Sequence, residues 1–122
     1  MLLAVAEHKG IRSELIPRIA TGFCGGLAHT GGNCGAVSGG VLAIGLYLGR
    51  NSPADSTDTC YEAIGKFMGQ FSKRFGALGC PQLTGVQLDT PEGQAAFLAK
   101  GQIKQCTNYV GEAAGLVVEL VG

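Results

Sequence analysis

The chain has 122 residues, no net charge at pH 7 and 46% hydrophobic residues. A chain of this length can bury a core without disulfide or metal staples, so we expect one domain covering residues 1–122. Its nine basic residues form no cluster, which argues against nucleic acid as a partner, because nucleic-acid binding needs a basic stripe. Glycine is abundant, at 21 residues against roughly eight expected from average usage.

The N-terminal third predicts two helices and a loop. Residues 1–9 form a short helix that stops at Gly10. Residues 13–23 form a second helix, because Pro17 lies close enough to its start to be tolerated. Residues 25–32 have the composition of a loop whose backbone bends freely or approaches a neighbour closely.

The third predicted helix runs from Cys34 to about Gly49, with Asn33 as its N-cap. Four of its residues are glycines: Gly35, Gly39, Gly40 and Gly45. A glycine inside a helix costs roughly 1 kcal/mol relative to alanine, and close backbone packing against another helix is the natural compensation. We therefore expect Gly35 and Gly39 to face a neighbouring helix, and this helix to be the central one.

The C-terminal half predicts further helices and no strand. The fourth helix ends near Phe75 and carries one buried stripe, formed by Cys60, Ile64, Phe67 and Phe71. Cys80 begins an irregular or short helical link, Pro91 starts a short helix, and a last helix covers residues 103–120. No segment alternates with a period of two. We therefore predict an all-α fold, a compact bundle of five to six helices with a glycine-rich central helix.

A long uncharged run, residues 19–49, raises the question of a membrane span. Only residues 36–48 of that run are apolar helix, which is shorter than the roughly 20 residues needed to cross a bilayer. No secretory signal is visible. Five cysteines without an export signal favour the cytoplasm, where thiols stay reduced, and the odd count argues against a framework of paired disulfides.

Two cysteines lie at predicted helix ends flanked by glycine, which favours chemistry over simple packing. With Asn33 as N-cap, Cys34 falls in the first helical turn, where the helix dipole favours a thiolate. Cys80 is the second cysteine at a helix end flanked by glycine. Cys60 belongs to a regular apolar stripe, so we expect it only to pack. His29 is either an adjunct ligand or proton donor or, as we favour, an ordinary loop histidine.

Three cysteine-containing segments follow recognisable patterns. Residues 34–39 read Cys-Gly-Ala-Val-Ser-Gly and match Cys-Gly-Ala-x-x-Gly. Residues 75–85 match Phe-Gly-x-x-x-Cys-x-x-Leu-x-Gly, and residues 106–110 match Cys-x-x-x-Val. In order and spacing, these three segments resemble the C_GCAxxC_C_C family, which has a CGAxxG motif and is classed as redox-active. The resemblance covers nearly the whole chain.

That resemblance implies a small helical bacterial or archaeal protein with four characteristic cysteines. Members are often encoded near transporter genes, and their reaction is not established. The first family cysteine lies a few residues before the segment that matches residues 2–7. In this chain that cysteine is either upstream of Met1 or replaced by Cys24.

We therefore predict a cysteine site around the start of the third helix. Cys34 is the expected low-pKa thiolate, Cys80 and Cys106 are its partners, and Cys24 is available as a fourth ligand. Four thiolates can hold an iron–sulfur cluster or a zinc ion. Alternatively, Cys34 pairs reversibly with Cys80 or Cys106 as a thiol–disulfide couple.

A function of a different class is also open at this point. The protein could be a non-catalytic helical interaction module linked to a transporter, in which the cysteines merely pack. The candidate partners are a redox partner, a transporter component and a second copy of the chain. Whether the protein is an enzyme is left open by these residues.

Overall fold

The computed structural model describes all 122 residues, and helices account for 69% of them. One 3₁₀ helix (Arg18–Phe23) and seven α-helices form the fold: α1 (Leu2–Lys9), α2 (Cys24–Leu27), α3 (Gly35–Leu48), α4 (Asp58–Phe75), α5 (Cys80–Thr84), α6 (Pro91–Ala99) and α7 (Gln102–Val121). No strand forms, which confirms the all-α prediction. The count exceeds the predicted five to six because α2 and α5 are short helices inside the segments predicted as a loop and a link.

The core lies where α3 packs against α7, α4 and α1. The largest fully buried side chains come from all four helices: Val5 from α1, Val37 and Ile44 from α3, Phe67 and Phe71 from α4, and Val117 from α7. The predicted stripe on α4 is confirmed, since Cys60 and Ile64 pack against this core at its edge. None of the helices combines the length and apolarity that a bilayer crossing demands.

Among the glycines of α3, Gly40 lies closest to another helix. A Cβ atom added at Gly40 would overlap the aromatic ring of Phe67 in α4. A Cβ atom added at Gly45, five residues further along α3, would have no neighbouring atom within 4 Å. Close packing therefore explains one of these two helical glycines and not the other.

Gly39 lies against the start of α1, and Gly35 lies against the end of the 3₁₀ helix. An added Cβ at Gly39 would lie 3.0 Å from Cγ of Met1, the residue before α1. An added Cβ at Gly35 would lie 3.1 Å from the carbonyl oxygen of Phe23, at the end of the 3₁₀ helix. Both glycines thus allow other segments to approach the first half of α3.

The prediction of a helix over residues 13–23 is wrong for the first half of that segment. Residue 13 has no regular structure, residues 14–17 form turns, and helical structure, of the 3₁₀ type, begins only at Arg18. Pro17 has no N–H to donate and disfavours helical backbone at the residue before it. Leu15 and Ile19 are 58% and 51% exposed, so this segment buries no apolar stripe that could stabilise a helix.

The glycine-rich loop folds into a left-handed turn. Five consecutive residues, 25–29, have positive φ angles, between 53° and 73°. Glycine adopts this backbone freely, but each of the three non-glycine residues costs roughly 1–2 kcal/mol. The turn is closed by hydrogen bonds, from the N–H of Gly32 to the carbonyl of Gly26 at 2.7 Å and from the Thr30 hydroxyl to the carbonyl of Leu27 at 2.7 Å.

Candidate functional site

Four cysteines from four separate segments line one cavity of about 260 Å³. Cys24 is the first residue of α2, Cys34 directly precedes α3, Cys80 is the first residue of α5, and Cys106 lies in the second turn of α7. No aspartate, glutamate, lysine, arginine or histidine side chain lines this cavity. The structure thus brings together the four cysteines singled out from the sequence, and it leaves Cys60 outside the cavity.

A backbone pairing fixes the relative positions of two of these cysteines. Asn33 and Gly79 form an isolated antiparallel bridge. The flanking hydrogen bonds run from the N–H of Cys34 to the carbonyl of Leu78 at 2.8 Å and from the N–H of Cys80 to the carbonyl of Gly32 at 2.9 Å. Because each cysteine directly follows a bridge residue, the starts of α3 and α5 are held side by side.

Cys106 is tied to the same place through Tyr109. The Tyr109 ring packs edge-on against Phe75, with ring centroids 4.8 Å apart. Its hydroxyl donates a hydrogen bond to the carbonyl of Leu83 at 3.1 Å. Tyr109 lies about one turn after Cys106 on α7, and Leu83 lies about one turn after Cys80 on α5. This bond therefore holds the two cysteine-bearing helices together.

Cys24 is the exposed member of the four. It directly precedes the left-handed turn, and that turn brings Gly26 against Cys80. A Cβ atom added at Gly26 would lie 2.8 Å from the Cβ of Cys80, so a side chain at this position would collide with α5. The close approach places the exposed thiol of Cys24 beside a buried one.

Burial controls the ionisation of the less exposed thiols. It raises the pKa of Cys106 to about 11, and the neighbouring thiols add to the rise, because a second negative charge nearby disfavours a thiolate. Burial also raises the pKa of Cys80, the Cys34 thiol adds to this rise, and the side chain of Thr84 opposes it. Both groups are therefore neutral thiols near pH 7.

The low pKa predicted for Cys34 is wrong. Cys34 is the N-cap of α3 and not part of its first turn, and its thiol makes no capping hydrogen bond. Burial raises the pKa of Cys34 more than the amide groups of Ala36 and Val37 lower it. Asn33, the predicted N-cap, takes part in the backbone bridge instead. The helix N-terminus is present, but desolvation outweighs it.

The structure does not show metal binding by the four cysteines. No three histidine, cysteine, aspartate or glutamate side chains are placed to hold one metal ion, and all five cysteines are free thiols. Thiolate ligands of zinc surround the ion at about 2.3 Å. The predicted ligands Cys24, Cys34, Cys80 and Cys106 share one cavity as free thiols, and their binding of a metal stays a prediction.

A second cavity, of about 280 Å³, borders three of the same cysteines. Cys24, Cys80 and Cys106 line it together with His29. The His29 ring lies against Gly25, where an added Cβ atom would overlap it. The left-handed turn therefore folds this histidine back beside the cysteines, the position that its less favoured interpretation as an adjunct ligand or proton donor requires.

Sequence reasoning missed the residues that hold the cysteines together. Gly26 contacts α5 closely, Asn33 pairs with Gly79, and Tyr109 binds the backbone of α5. A single bridge leaves no periodic pattern to detect. The available signal was small: Asn33 and Gly79 each directly precede a cysteine at a helix start.

The comparisons with known proteins found a family match. A family model described as "Putative redox-active protein (C_GCAxxG_C_C)" matches residues 1–120. The chain belongs to this family. The C_GCAxxG_C_C pattern closes its central motif with glycine, the residue found at Gly39, so the form C_GCAxxC_C_C written above is corrected. No curated protein and no solved structure matches the chain.

Proposed function

We propose that this protein performs reversible thiol–disulfide exchange at the four-cysteine cavity. Cys34 and Cys80 form the final redox couple, and Cys24 is the thiol that meets the substrate. The observation that carries the proposal is the Asn33–Gly79 bridge, which holds Cys34 beside Cys80 in a cavity lined by two further free thiols. Membership of a family described as redox-active supports it.

The exchange balances with an organic disulfide as the oxidant. The Cys24 thiolate attacks one substrate sulfur, breaks the substrate disulfide and releases a first thiolate, which takes up the proton lost by Cys24. Cys80 then attacks the Cys24 sulfur and releases the second substrate thiol. Cys34 attacks the Cys80 sulfur, forms the Cys34–Cys80 disulfide and returns Cys24 to its thiol form. Two protein thiols and one disulfide become one protein disulfide and two thiols.

The exposure and protonation of the cysteines support this order. Cys24 is exposed, whereas Cys34 is half-buried and Cys80 is buried. Burial raises the pKa of both Cys34 and Cys80, so they rest as neutral thiols that react slowly with reagents in solution. A thiol of higher pKa is, once deprotonated, the stronger nucleophile. The substrate therefore reacts first with Cys24, and the less exposed thiols of Cys80 and Cys34 complete the exchange.

The test is a thiol count before and after exposure of the reduced protein to 2-hydroxyethyl disulfide. We expect the number of free thiols in the denatured protein to fall from five to three, and dithiothreitol to restore all five. In Cys60→Ser the count should fall from four to two, because Cys60 lies outside the cavity. In Cys80→Ser the substrate half should stay attached to Cys24 for longer. An unchanged count in the folded protein contradicts the proposal.

The two other functions give different results in the same preparation. Iron–sulfur or zinc binding by Cys24, Cys34, Cys80 and Cys106 predicts stoichiometric metal in anaerobically purified protein and loss of that metal in Cys34→Ser. A helical interaction module predicts neither metal nor reversible loss of thiols, and a Cys34→Ala variant that differs only in stability.

A further inference from the structure

We propose that the second cavity is the substrate site, and that its substrate is a small, uncharged, apolar organic disulfide. The proposal rests on the exchange reaction proposed above. It adds where the substrate binds and what chemistry selects it. The second cavity, which we call the α6–α7 cavity, lies between the cysteines and residues of α6 and the start of α7.

The walls of the α6–α7 cavity join reactive thiols to apolar side chains. Cys24, Cys80 and Cys106 line it. Leu98 of α6 and Ile103 of α7 line it as well, and they are 77% and 65% exposed. Large apolar side chains left in water beside a cavity gain free energy when an apolar molecule covers them. An apolar ligand placed against them lies next to the thiols.

The charge of the cavity selects against ionic disulfides. Apart from the three cysteines, its only titratable side chain is His29, and no aspartate, glutamate, lysine or arginine lines it. Gln94 is the other polar side chain, and its amide N–H group already donates to the carbonyl of Leu88 at 2.9 Å. A carboxylate brought into this cavity loses hydration without meeting a lysine or arginine side chain.

The volume of the cavity sets the size of the substrate. About 280 Å³ is slightly smaller than typical ligand pockets, which span roughly 300–1,000 Å³. A disulfide with small aromatic or aliphatic groups fits this space. Because Cys24 is exposed and lines the cavity, its thiolate can reach a disulfide bound there, and the steps after this attack are those already balanced above.

The experiment compares a neutral aromatic disulfide, 4,4′-dithiodipyridine, with a dianionic one, 5,5′-dithiobis(2-nitrobenzoate). Each rate constant with the folded protein is divided by the rate constant of the same reagent with the urea-unfolded protein, which removes the intrinsic reactivity of the reagent. We expect the neutral reagent to be favoured in the folded protein by at least about tenfold. Two thiopyridone molecules should leave for each protein disulfide formed.

Variants at the edge of the cavity test its location. Leu98→Asp and, separately, Ile103→Asp place a carboxylate beside the bound disulfide at exposed positions, where folding tolerates the change. Both should slow the neutral reagent several-fold. Tyr61→Asp is the matched control, because Tyr61 is 67% exposed on α4 and lines neither cavity, and it should react like the parent.

Equal normalised rates for the two reagents overturn the assignment of an uncharged substrate. Parent-like rates for both folded edge variants overturn the location. In either case, a protein that still forms its internal disulfide leaves the exchange function standing. If neither reagent produces an internal disulfide in the parent protein, the exchange function and the substrate site both fail.

Discussion

Asn33 and Gly79 pair across an isolated antiparallel bridge, and each is followed directly by a cysteine. One pair of backbone hydrogen bonds therefore joins the starts of two helices, α3 and α5, at the point where Cys34 and Cys80 enter the cavity. Neither cysteine depends on a flexible side-chain contact for its position. The bridge relates two segments that are 46 positions apart (79 minus 33).

Cys24 should be the first cysteine to react with limiting iodoacetamide at neutral pH. It is the exposed member of the four, whereas burial raises the pKa of Cys34. Because alkylation needs an accessible thiolate, we expect Cys24 to be labelled faster than Cys34 by roughly tenfold or more. Mass-spectrometric mapping of the labelled peptides measures the ratio, with the half-buried Cys60 as internal reference. Faster labelling of Cys34 contradicts the account.

Stability should fall as the pH rises through the titration range of Cys106. Its pKa is raised from 9.0 to about 11, so the folded state holds this proton more tightly than the unfolded state. The contribution is fully present below about pH 9 and is lost as the pH approaches about 11. Thermal melting between these values should show a smaller decline for Cys106→Ser than for the parent. Identical declines in both proteins contradict the assigned pKa.

Gly40 and Gly45 in α3 should respond oppositely to alanine. In Gly40→Ala the new methyl group overlaps Phe67, and overpacking of this kind costs about 1–3 kcal/mol. In Gly45→Ala the methyl group enters open space, and the better helix propensity of alanine adds up to about 1 kcal/mol. Urea denaturation of both variants measures the two changes. A stabilised Gly40→Ala protein contradicts the packing of α3 against α4.

A glycine substitution in the left-handed turn at residues 25–29 should relieve backbone strain. Ala28 has a φ of 53°, so Ala28→Gly removes a backbone strain of roughly 1–2 kcal/mol and loses part of that gain to unfolded-state entropy. We expect a net stabilisation of up to about 1 kcal/mol. The control is Ala95→Gly, an exposed alanine inside α6, which should destabilise by about 1 kcal/mol. If both variants lose stability equally, the turn does not have this conformation.

Local chemistry predicted much of the fold. Gly10 and Gly76 end helices in the left-handed conformation, and Thr90 caps α6 by accepting a hydrogen bond from the N–H of Gly93 at 3.0 Å. Each of these features involves residues within a few positions of each other. The positive φ angles at Leu27 and its two successors could not be read in this way, because non-glycine residues avoid them.

The details of the site depend on contacts that are distant in the sequence. Helix position alone predicted a low pKa for Cys34, whereas its burial, produced by segments from elsewhere in the chain, raises it. The spacing of Cys80 and Cys106 gave no distance between them; the hydrogen bond of Tyr109 to α5 sets that relation. The sequence pattern singled out the four cysteines that line one cavity, and tertiary packing determines how buried each of them is.

The most direct test of the central claim is a disulfide map of the oxidised protein. After oxidation with 2-hydroxyethyl disulfide, acid quenching and tryptic digestion, Cys34 lies in peptide 19–50 and Cys80 in peptide 75–100. We predict that these two peptides are joined, and that fragment ions between Cys24 and Cys34 assign the bond to Cys34. A bond that involves Cys60, or the absence of any link between these two peptides in fully oxidised protein, would contradict the proposed redox couple.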